Sequence, residues 1–468
     1  MKIEQIYTGC LAQGAYYIES NGEAVIIDPL RDTKAYIERA KESGASIKYI
    51  LETHFHADFV SGHLDLHKQT GASIVFGPNA VTEFESHIAT DGEILKVGNI
   101  TIEVLHTPGH TMESTCFLLR DEKGKQRALF SGDTLFIGDV GRPDLAQKAG
   151  VLTKEDLAGH LFDSLRNKIM PLDNDVIVYP AHGAGSACGK NMSKETFDTL
   201  GHQKEVNYAL QEMTKAAFVA EVTDGLLPPP FYFPENVALN KKGAASLESV
   251  IQNAAQSLSA AAFEVLIESD DVLLLDVRQP QDFCKVFVPG SINIGLKGDF
   301  APWVGTLITD LNQKIALVSP VGMEEEAITR LARVGYDHVV GYLEGGIDAW
   351  KAAGKDLDNI ESISAEEFAR LHSETEIEVI DVRKPTEHEA EHVENAKHAP
   401  LHMINQHMGH FKGEGTKYIH CAGGYRSMIA ASILKSRGVH NVVDVAGGFG
   451  AISKTGVPKT TFVCQSKK

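Results

Sequence analysis

The 468-residue sequence is poor in several features that would indicate particular classes of protein. Its 6 cysteines lie far apart with no Cys-x-x-Cys pair, a pattern typical of a reducing cytoplasm. Lys and Arg number 44 against 63 Asp and Glu, and the resulting charge of −19 argues against nucleic acid or an anionic membrane surface as partner. No apolar run approaches the length of a membrane span, and the first residues lack the apolar core of a signal peptide. We therefore expect a cytoplasmic protein without a membrane partner.

The length is too great for one hydrophobic core and predicts about three domains. Apolar residues make up 43% of the sequence and charged residues 23%, which is ordinary for a globular protein.

A loop rich in metal-binding side chains follows one predicted strand. The apolar run Ile47–Leu51 leads into a segment that holds His54, His56 and Asp58 within five positions. Imidazole and carboxylate groups at such short spacing suit a first-row metal ion, because each can turn inward from one loop. Taken alone, the segment is equally compatible with a polar loop that happens to be rich in histidine.

Further ligand-type residues follow in similar settings along the chain. They are His106 and His110 in His-Thr-Pro-Gly-His, Asp133 in Ser-Gly-Asp-Thr, and His182 in Pro-Ala-His-Gly. Each segment comes after an apolar β-type run and lies beside Gly or Pro, where the chain turns and can present a side chain. Together with the loop of His54, His56 and Asp58 these make four segments, and four in this order favour a metal centre.

This order of motifs resembles the metallo-β-lactamase fold, an αββα sandwich with its metals at one edge. That family normally reads His-x-His-x-Asp-His, whereas Phe59 stands at the last position here. A phenylalanine cannot bind metal, so the departure argues for one ion instead of the two found in dinuclear thioesterases. Among mononuclear members the chain resembles the persulfide dioxygenases, which implies one Fe(II) per chain held by His54, His110 and Asp133. Two histidines and one carboxylate are also the usual ligand set of non-haem Fe(II) oxygenases.

Five more residues are expected near this centre, beside the metal or the substrate. They are His56, Asp58, Arg142, His182 and Cys188. His56 and Asp58 could hold a second ion, but without a histidine at position 59 we favour hydrogen bonds to water or substrate. His182 is either a remnant ligand of that second site or a hydrogen-bond donor.

Arg142 and Cys188 each have two interpretations. Arg142 lies in Gly-Arg-Pro-Asp, which resembles the substrate-side loop of persulfide dioxygenases. It either meets a carboxylate of the thiol carrier or pairs with Asp144. Cys188 lies six residues after His182 in a loop of small residues, where it either receives sulfur or simply packs.

Two segments were expected to close the first domain. Helical spacing predicts one helix from Lys194 to Val222 with Ser193 as its N-cap. Leu226–Pro234 contains four prolines in nine residues, which predicts an extended, proline-rich arm that docks on a surface.

A repeat occupies the chain after Lys242. Leu273–Pro280 matches Glu378–Pro385, and Leu343–Trp350 matches Val445–Ile452. The copies are about a hundred residues each, the size of one α/β domain. Both resemble rhodanese (sulfurtransferase) domains, which implies two α/β rhodanese-like folds. The predicted domains are residues 1–240 with the arm at their end, 241–357 and 358–468.

Only the second copy carries the rhodanese active loop. Cys421 and Arg426 are its expected catalytic residues, and Ala422, Gly423, Gly424 and Tyr425 form the loop around a sulfur oxyanion. Amide N–H groups at a helix N-terminus stabilise a thiolate and a bound anion, and the arginine adds positive charge. A buried, inert cysteine is the alternative. In the first copy Ser319 and Glu324 stand at the matching positions, so that copy is expected to be non-catalytic.

The resemblance covers nearly the whole chain and implies a persulfide dioxygenase fused to rhodanese domains. Its expected reaction is oxidation of a low-molecular-weight thiol persulfide, such as glutathione persulfide, by O₂ to sulfite at Fe(II). Sulfur transfer at Cys421 would then give or use thiosulfate, and we expect a homo-oligomer. The first rival is a zinc-dependent thioesterase or other hydrolase of the same fold. The second is a non-catalytic sulfur carrier in which the metal is structural.

Overall fold

Two six-stranded sheets, with helices on their outer faces, dominate the first of two structural units. The computed structural model describes residues 1–147, 150–226 and 228–463. The first unit comprises Met1–Val250 with Leu331–Gly335, and the second comprises Ile251–Arg330 with Tyr336–Lys468. None of the helices in the described stretches combines the length and the apolar character that a membrane span requires.

The first sheet has the strand order β1-β2-β3-β4-β5-β6. Its strands are β1 (Lys2–Thr8), β2 (Gln13–Ser20), β3 (Glu23–Ile27), β4 (Ser46–Glu52), β5 (Ser73–Phe76) and β6 (His87–Ile88). The first three strands are antiparallel, and β3 to β6 are parallel. Asn21 and Gly22 turn the chain between β2 and β3 with φ angles of 49° and 78°, the positive values that an Asn-Gly hairpin turn requires.

The second sheet has the order β12-β11-β10-β9-β8-β7. Its strands are β7 (Ile94–Val97), β8 (Ile100–His106), β9 (Thr115–Arg120), β10 (Gln126–Gly132), β11 (Ile177–Pro180) and β12 (Asp198–Thr199). Among the described residues of this sheet, the β10–β11 pair is the one parallel pair, because the connection through α3 carries the chain back to the end of the sheet where β10 begins.

The described residues up to 254 include seven helices, the last of which crosses the boundary between the two units. They are α1 (Lys34–Ser43), α2 (His63–Thr70), α3 (Lys154–Ser164), α4 (Leu200–Val206), α5 (Lys215–Thr223), α6 (Phe233–Lys242) and α7 (Leu247–Ala254), with a π-helical turn at Leu165–Ile169 and a 3₁₀ turn at Tyr208–Leu210. Helix α1 ends at Gly44, which has a φ of 65°, the left-handed conformation in which glycine commonly ends a helix.

The two sheets pack face to face between two helical layers. Val25 and Val75 of the first sheet join Val104 and Phe117 of the second in one buried core. Alternate side chains of each strand point the other way, so the outer face of the first sheet packs on α1 and α2 and that of the second packs on α3. This αββα arrangement confirms the predicted fold of the first domain.

The single helix predicted over residues 194–222 is wrong. Asp198 and Thr199 pair instead with β11, and two helices and a 3₁₀ turn follow. Thr199, Asn207 and Thr214 interrupt the segment because each has an extended backbone and a side-chain oxygen that caps the next turn. In the described chain the next helix after Ser193 begins at Leu200, so Ser193 is not an N-cap.

The proline-rich arm is shorter than expected. Residues 228–230 are irregular, but Pro234 occupies the first turn of α6, where its missing N–H is tolerated. Leu227 lies outside the described residues. The segment therefore leads into helix α6. A residue of that helix makes hydrogen bonds to a loop of the candidate site.

The second unit contains the two copies of the repeat, each with a parallel five-stranded sheet. The first has the order β13-β17-β16-β14-β15 and the second the equivalent order β18-β22-β21-β19-β20. The strands are β13 (Ser257–Leu258), β14 (Val272–Asp276), β15 (Ile292–Asn293), β16 (Lys314–Val318), β17 (Val339–Leu343), β18 (Glu361–Ile363), β19 (Glu378–Asp381), β20 (Lys397–His398), β21 (Lys417–His420) and β22 (Val442–Val445).

The helices of the repeats also correspond in their positions along the chain, except that the 3₁₀ turns Leu401–Met403 and Met408–Phe411 of the second copy stand where the first copy has α10. They are α8 (Ala260–Ile267), α9 (Pro280–Phe283), α10 (Phe300–Leu307), α11 (Glu324–Arg333) and α12 (Gly346–Ala352), then α13 (Ala365–Glu374), α14 (Pro385–Ala390), α15 (Tyr425–Ser436) and α16 (Gly448–Ile452). The matching order of strands and helices confirms that both copies have the same α/β fold.

Candidate metal centre and cysteine loop

The polar loops of the first unit all follow the ends of strands. His54, His56 and Asp58 lie beyond the end of β4, and His110 lies in the connection from β8 to β9. Asp133 follows β10 directly and His182 follows β11, two parallel neighbours whose carboxyl ends share one edge. Strand ends therefore bring side chains that are distant in sequence to one place.

His54, His110 and Asp133 form one buried group whose ligand atoms lie within 4.8 Å of one another. The Oδ2 atom of Asp133 is 3.7 Å from His54 Nε2 and 3.5 Å from His110 Nε2. That oxygen is buried and has no hydrogen-bond partner among the residues that the structure describes. An unpartnered buried carboxylate oxygen is costly, and a cation held between it and the two imidazoles would satisfy it.

Both histidines of this group are oriented through their other ring nitrogen. His54 Nδ1 lies 3.0 Å from the hydroxyl of Thr53. His110 Nδ1 lies 2.8 Å from the carbonyl of Arg142, to which it donates, and this leaves the Nε2 lone pair free. Burial, together with the neighbouring His56, holds the pKa of His54 well below its ordinary value, which favours the neutral form that binds metal.

The backbone of Gly141 passes too close to this group for any larger residue. A Cβ atom at this position would lie 2.0 Å from the carbonyl oxygen of Asp133 and 3.0 Å from His110 Nδ1. The close approach places the next carbonyl, that of Arg142, where it receives the His110 proton. The Arg142 side chain itself makes two hydrogen bonds of 2.7 Å to Asp144, so the structure forms the ion pair that was one of its two interpretations.

His182 bridges two carboxylates instead of joining the first group. Its Nδ1 lies 2.9 Å from Asp133 Oδ1 and its Nε2 lies 2.8 Å from Asp58 Oδ2. Burial alone would lower the pKa of His182, but Asp133 and Asp58 outweigh it and raise that pKa well above its ordinary value. Asp133 is thus fixed by one oxygen while the other faces His54 and His110.

Cys188 is buried beside this bridge. Its sulfur, Asp58 and His182 form a second group of ligand atoms within 4.8 Å. Burial, followed by the charges of Asp58 and Asp133, raises the pKa of the Cys188 thiol well above its ordinary value. The structure therefore places the Cys188 sulfur next to the residues predicted to hold the metal.

His56 faces a third buried group. Its Nε2 is 3.1 Å from Asp28 Oδ1 and 3.5 Å from Glu52 Oε2. Burial alone would lower its pKa, but Asp28 in particular raises it. Phe59, at the position that departs from the family motif, stacks on the His56 ring with centroids 4.3 Å apart.

The sequence analysis missed Asn240, a residue of α6 that makes hydrogen bonds to the loop that follows β4. The side-chain oxygen of Asn240 accepts from the Ser61 N–H at 2.8 Å, and its amide nitrogen donates to the carbonyls of His56 and Phe59, both at 2.8 Å. Asn240 is 2% exposed. It lies about 180 positions along the chain from its partners, and no local pattern marks it.

In the second unit, Cys421 occupies the turn between β21 and α15. Its side chain is buried, and the Gly424 N–H points at the sulfur with an N–S distance of 3.1 Å. Gly424 has a φ of 99° and directly precedes the first residue of the 12-residue helix α15. The loop thus has the geometry in which backbone N–H groups stabilise a thiolate or an anion.

Arg426 has a partner that the sequence analysis did not foresee. Its two terminal nitrogens donate to the carboxylate of Glu387, on α14, at 2.6 and 2.8 Å. The guanidinium expected to face a sulfur oxyanion is therefore neutralised in this arrangement.

The two copies contact each other at the cysteine loop. The Tyr425 hydroxyl donates to the carbonyl of Gly295 in the first copy at 2.7 Å. A Cβ atom on Gly298 would lie 2.8 Å from the Tyr425 ring, and its φ of 137° also favours glycine. The equivalent turn of the first copy presents buried Ser319 and the acidic start of α11.

The comparisons with known proteins agree with this architecture. The family model of the metallo-beta-lactamase superfamily matches residues 8–182, and that of the rhodanese-like domain matches residues 259–353 and 364–455. A probable hydroxyacylglutathione hydrolase of Schizosaccharomyces pombe is 32% identical over 35% of this chain and 60% of its own length. The mitochondrial persulfide dioxygenase ETHE1 of Homo sapiens is 33% identical over 34% of this chain and 59% of its own length. The chain thus spans less than two thirds of either relative.

A solved structure extends the likeness over most of the chain. The crystal structure of a metallo-beta-lactamase from Staphylococcus aureus is 31% identical, covers 74% of this chain and 99% of its own, and has a TM-score of 0.66. The chain therefore belongs to the metallo-beta-lactamase superfamily and carries two rhodanese-like domains after its metallo-beta-lactamase domain.

Proposed function

We propose that this chain oxidises a low-molecular-weight thiol persulfide, such as glutathione persulfide, with O₂ and transfers sulfur at Cys421. The observation that carries the proposal is the convergence of His54 and His110 on the unpartnered Asp133 oxygen. This donor set fits a single Fe(II) ion and leaves open positions around it. Fe(II) bound there supplies the redox chemistry that joins O₂ to a persulfide sulfur.

The neighbouring residues support one ion instead of two. Both ring nitrogens of His182 are engaged by carboxylates, and Phe59 offers no donor atom. Asp58 and His182 hold Asp133 in place, and the Arg142 carbonyl and the Thr53 hydroxyl orient the two histidines. Similarity to a persulfide dioxygenase supports the same activity.

The sulfur-transfer step uses the second repeat. The sulfur lone pair of sulfite attacks the outer sulfur of a persulfide on Cys421, and the bond between the two persulfide sulfurs breaks. Its electron pair returns to the Cys421 sulfur, and thiosulfate leaves. The Gly424 N–H, already 3.1 Å from that sulfur, stabilises the resulting thiolate.

A zinc-dependent thioesterase is the second candidate, because relatives that match this chain equally well are hydroxyacylglutathione hydrolases. The group of Asp58, His182 and Cys188 could complete a second metal site if His182 gave up one carboxylate. Metal analysis distinguishes the two proposals, since the dioxygenase needs one iron per chain and the hydrolase needs zinc, with two ions in its dinuclear form.

The decisive experiment measures O₂ uptake by iron-loaded protein with glutathione persulfide and, separately, hydrolysis of a glutathione thioester. We expect O₂ uptake without thioester hydrolysis. His54→Ala and His110→Ala should lose iron and O₂ uptake while keeping transfer from thiosulfate to an acceptor at Cys421. Cys421→Ser should keep O₂ uptake and change the main product from thiosulfate to sulfite. Thioester hydrolysis without O₂ uptake would establish the hydrolase instead, and undiminished thiosulfate from Cys421→Ser would disprove the sulfur-transfer role.

The domain boundaries at residues 240 and 357 remain part of this proposal, as do the cytoplasmic location and the homo-oligomeric state. Limited proteolysis tests the boundaries, because cleavage should concentrate between independently packed domains. Light scattering of the intact chain tests the oligomeric state.

A further inference from the structure

The ion pair between Arg426 and Glu387 lies at the mouth of the cysteine loop. Glu387 engages both terminal nitrogens of the guanidinium, and the two side chains are 15% and 33% exposed. This ion pair occupies both terminal N–H groups of Arg426, which would otherwise donate side by side to two oxygens of an oxyanion.

The carboxylate of Glu387 is itself held in position. It is in the first turn of α14, and its Oε2 atom also accepts from the Lys384 N–H at 3.0 Å. Burial alone would raise the pKa of Glu387, but Arg426 outweighs it and lowers that pKa, so the group stays charged. The charge of Glu387 is thus a fixed part of the site at neutral pH.

A second arginine near the loop does not replace the neutralised charge. Arg383 makes hydrogen bonds of 3.0, 2.9 and 2.6 Å to Asp381 and a further one to the Glu391 carbonyl. Its guanidinium lies over the Phe449 ring at 4.0 Å. Attraction for an anion at the loop therefore rests mainly on the backbone amides while Glu387 holds Arg426.

We propose that Glu387 determines the substrate preference of the cysteine loop by competing with oxyanions for Arg426. Thiosulfate carries two negative charges and needs the guanidinium that Glu387 occupies, so Glu387 weakens its binding. The persulfide group of a thiol persulfide carries a single charge on its outer sulfur and is served by the loop amides. The loop consequently accepts sulfur from persulfides and releases thiosulfate readily.

This inference rests on the proposed sulfur transfer and refines its direction. In that transfer the sulfite sulfur forms a bond to the outer persulfide sulfur, the electron pair of the broken bond returns to Cys421, and no oxidant is consumed. Thiosulfate is then the product that dissociates. As it leaves, the Glu387 carboxylate forms its ion pair with Arg426 again. Product inhibition is reduced as a result.

Glu387→Gln tests the proposal because it removes the charge and keeps the shape and the acceptor oxygen for the Lys384 N–H. Thiosulfate binding to the full chain is measured by calorimetry, and transfer from thiosulfate to cyanide is measured kinetically. We expect the Kd and the KM for thiosulfate to fall about tenfold, with kcat changed much less, as for removal of a competing charge. The control is Glu389→Gln, an exposed position on the same helix, which should leave both constants unchanged.

A double variant separates competition from a structural role. With Arg426→Gln present, Glu387→Gln should no longer tighten thiosulfate binding, because the contested guanidinium is absent. An unchanged or weaker Kd in Glu387→Gln with Arg426 intact overturns the proposal. A parent chain that binds thiosulfate but transfers no sulfur disproves the proposed function, and the Kd comparison still decides the role of Glu387.

Discussion

Replacing Asn240 by alanine should loosen the candidate metal centre from a distance. Its side chain makes three buried hydrogen bonds to the loop that carries His56, Phe59 and Ser61. Each such bond stabilises a fold by about 1 kcal/mol, so the loss is about 3 kcal/mol. For a unit of this size we expect the melting temperature to fall by roughly 6–12 °C.

The same substitution should weaken metal binding. The three hydrogen bonds hold the backbone between His54 and His63, and residues that support metal ligands in this way typically contribute about tenfold or more to affinity. Scanning calorimetry of the full chain, read at the transition of the first unit, measures the stability. Iron retained after dialysis against a chelator measures the affinity.

Asn236 provides a matched control one turn earlier on α6. It is also fully buried, but neither polar atom of its side chain has a hydrogen-bond partner in the part of the chain that the structure describes. Asn236→Ala therefore removes no hydrogen bond, and its effect should stay within about 1 kcal/mol. Equal melting temperatures and equal iron retention in the two variants would refute the role of Asn240.

Two further predictions concern single side chains. Cys188→Ser should lower persulfide oxidation several-fold at unchanged iron content, because its sulfur lies beside Asp58 and His182, and an unchanged rate would mean that Cys188 only packs. Tyr425→Phe should slow sulfur transfer and leave O₂ uptake intact, since it removes about 1 kcal/mol of hydrogen bonding to Gly295. Sulfur transfer at the parent rate would show that this contact does not position the loop.

The parts of the fold with local signals were predictable. An Asn-Gly pair such as Asn21-Gly22 is a local signal for a hairpin turn, and the match of Leu273–Pro280 with Glu378–Pro385 located two equivalent domains. The segment over residues 194–222 misled because its apolar spacing is helical throughout, while capping side chains such as Thr199 and Thr214 divide it. Spacing reports which face is buried and does not report where a cap stops the helix.

The sequence predicted which ligand-type residues belong to the candidate site. It did not predict the residues that make hydrogen bonds to the loops of the site. His54, His110 and Asp133 stand in short motifs beside turns, and the structure brings them together. Asn240 and Glu387 act from other elements, so only the tertiary fold reveals them. The assignment of these residues to iron or to catalysis stays a prediction until the metal and the products are measured.

The contact of Tyr425 with Gly295 and Gly298 has a consequence for how the two repeats can vary. A repeat without a cysteine in the turn that matches the Cys421 loop is commonly regarded as free to accumulate substitutions. The turn at Gly295 and Gly298 is not free in this way, because any side chain added at Gly298 would collide with Tyr425 of the cysteine loop in the second repeat. Substitutions at this turn should therefore disturb the cysteine loop although they lie in the other repeat, and random mutagenesis of the first copy should find sensitive positions there.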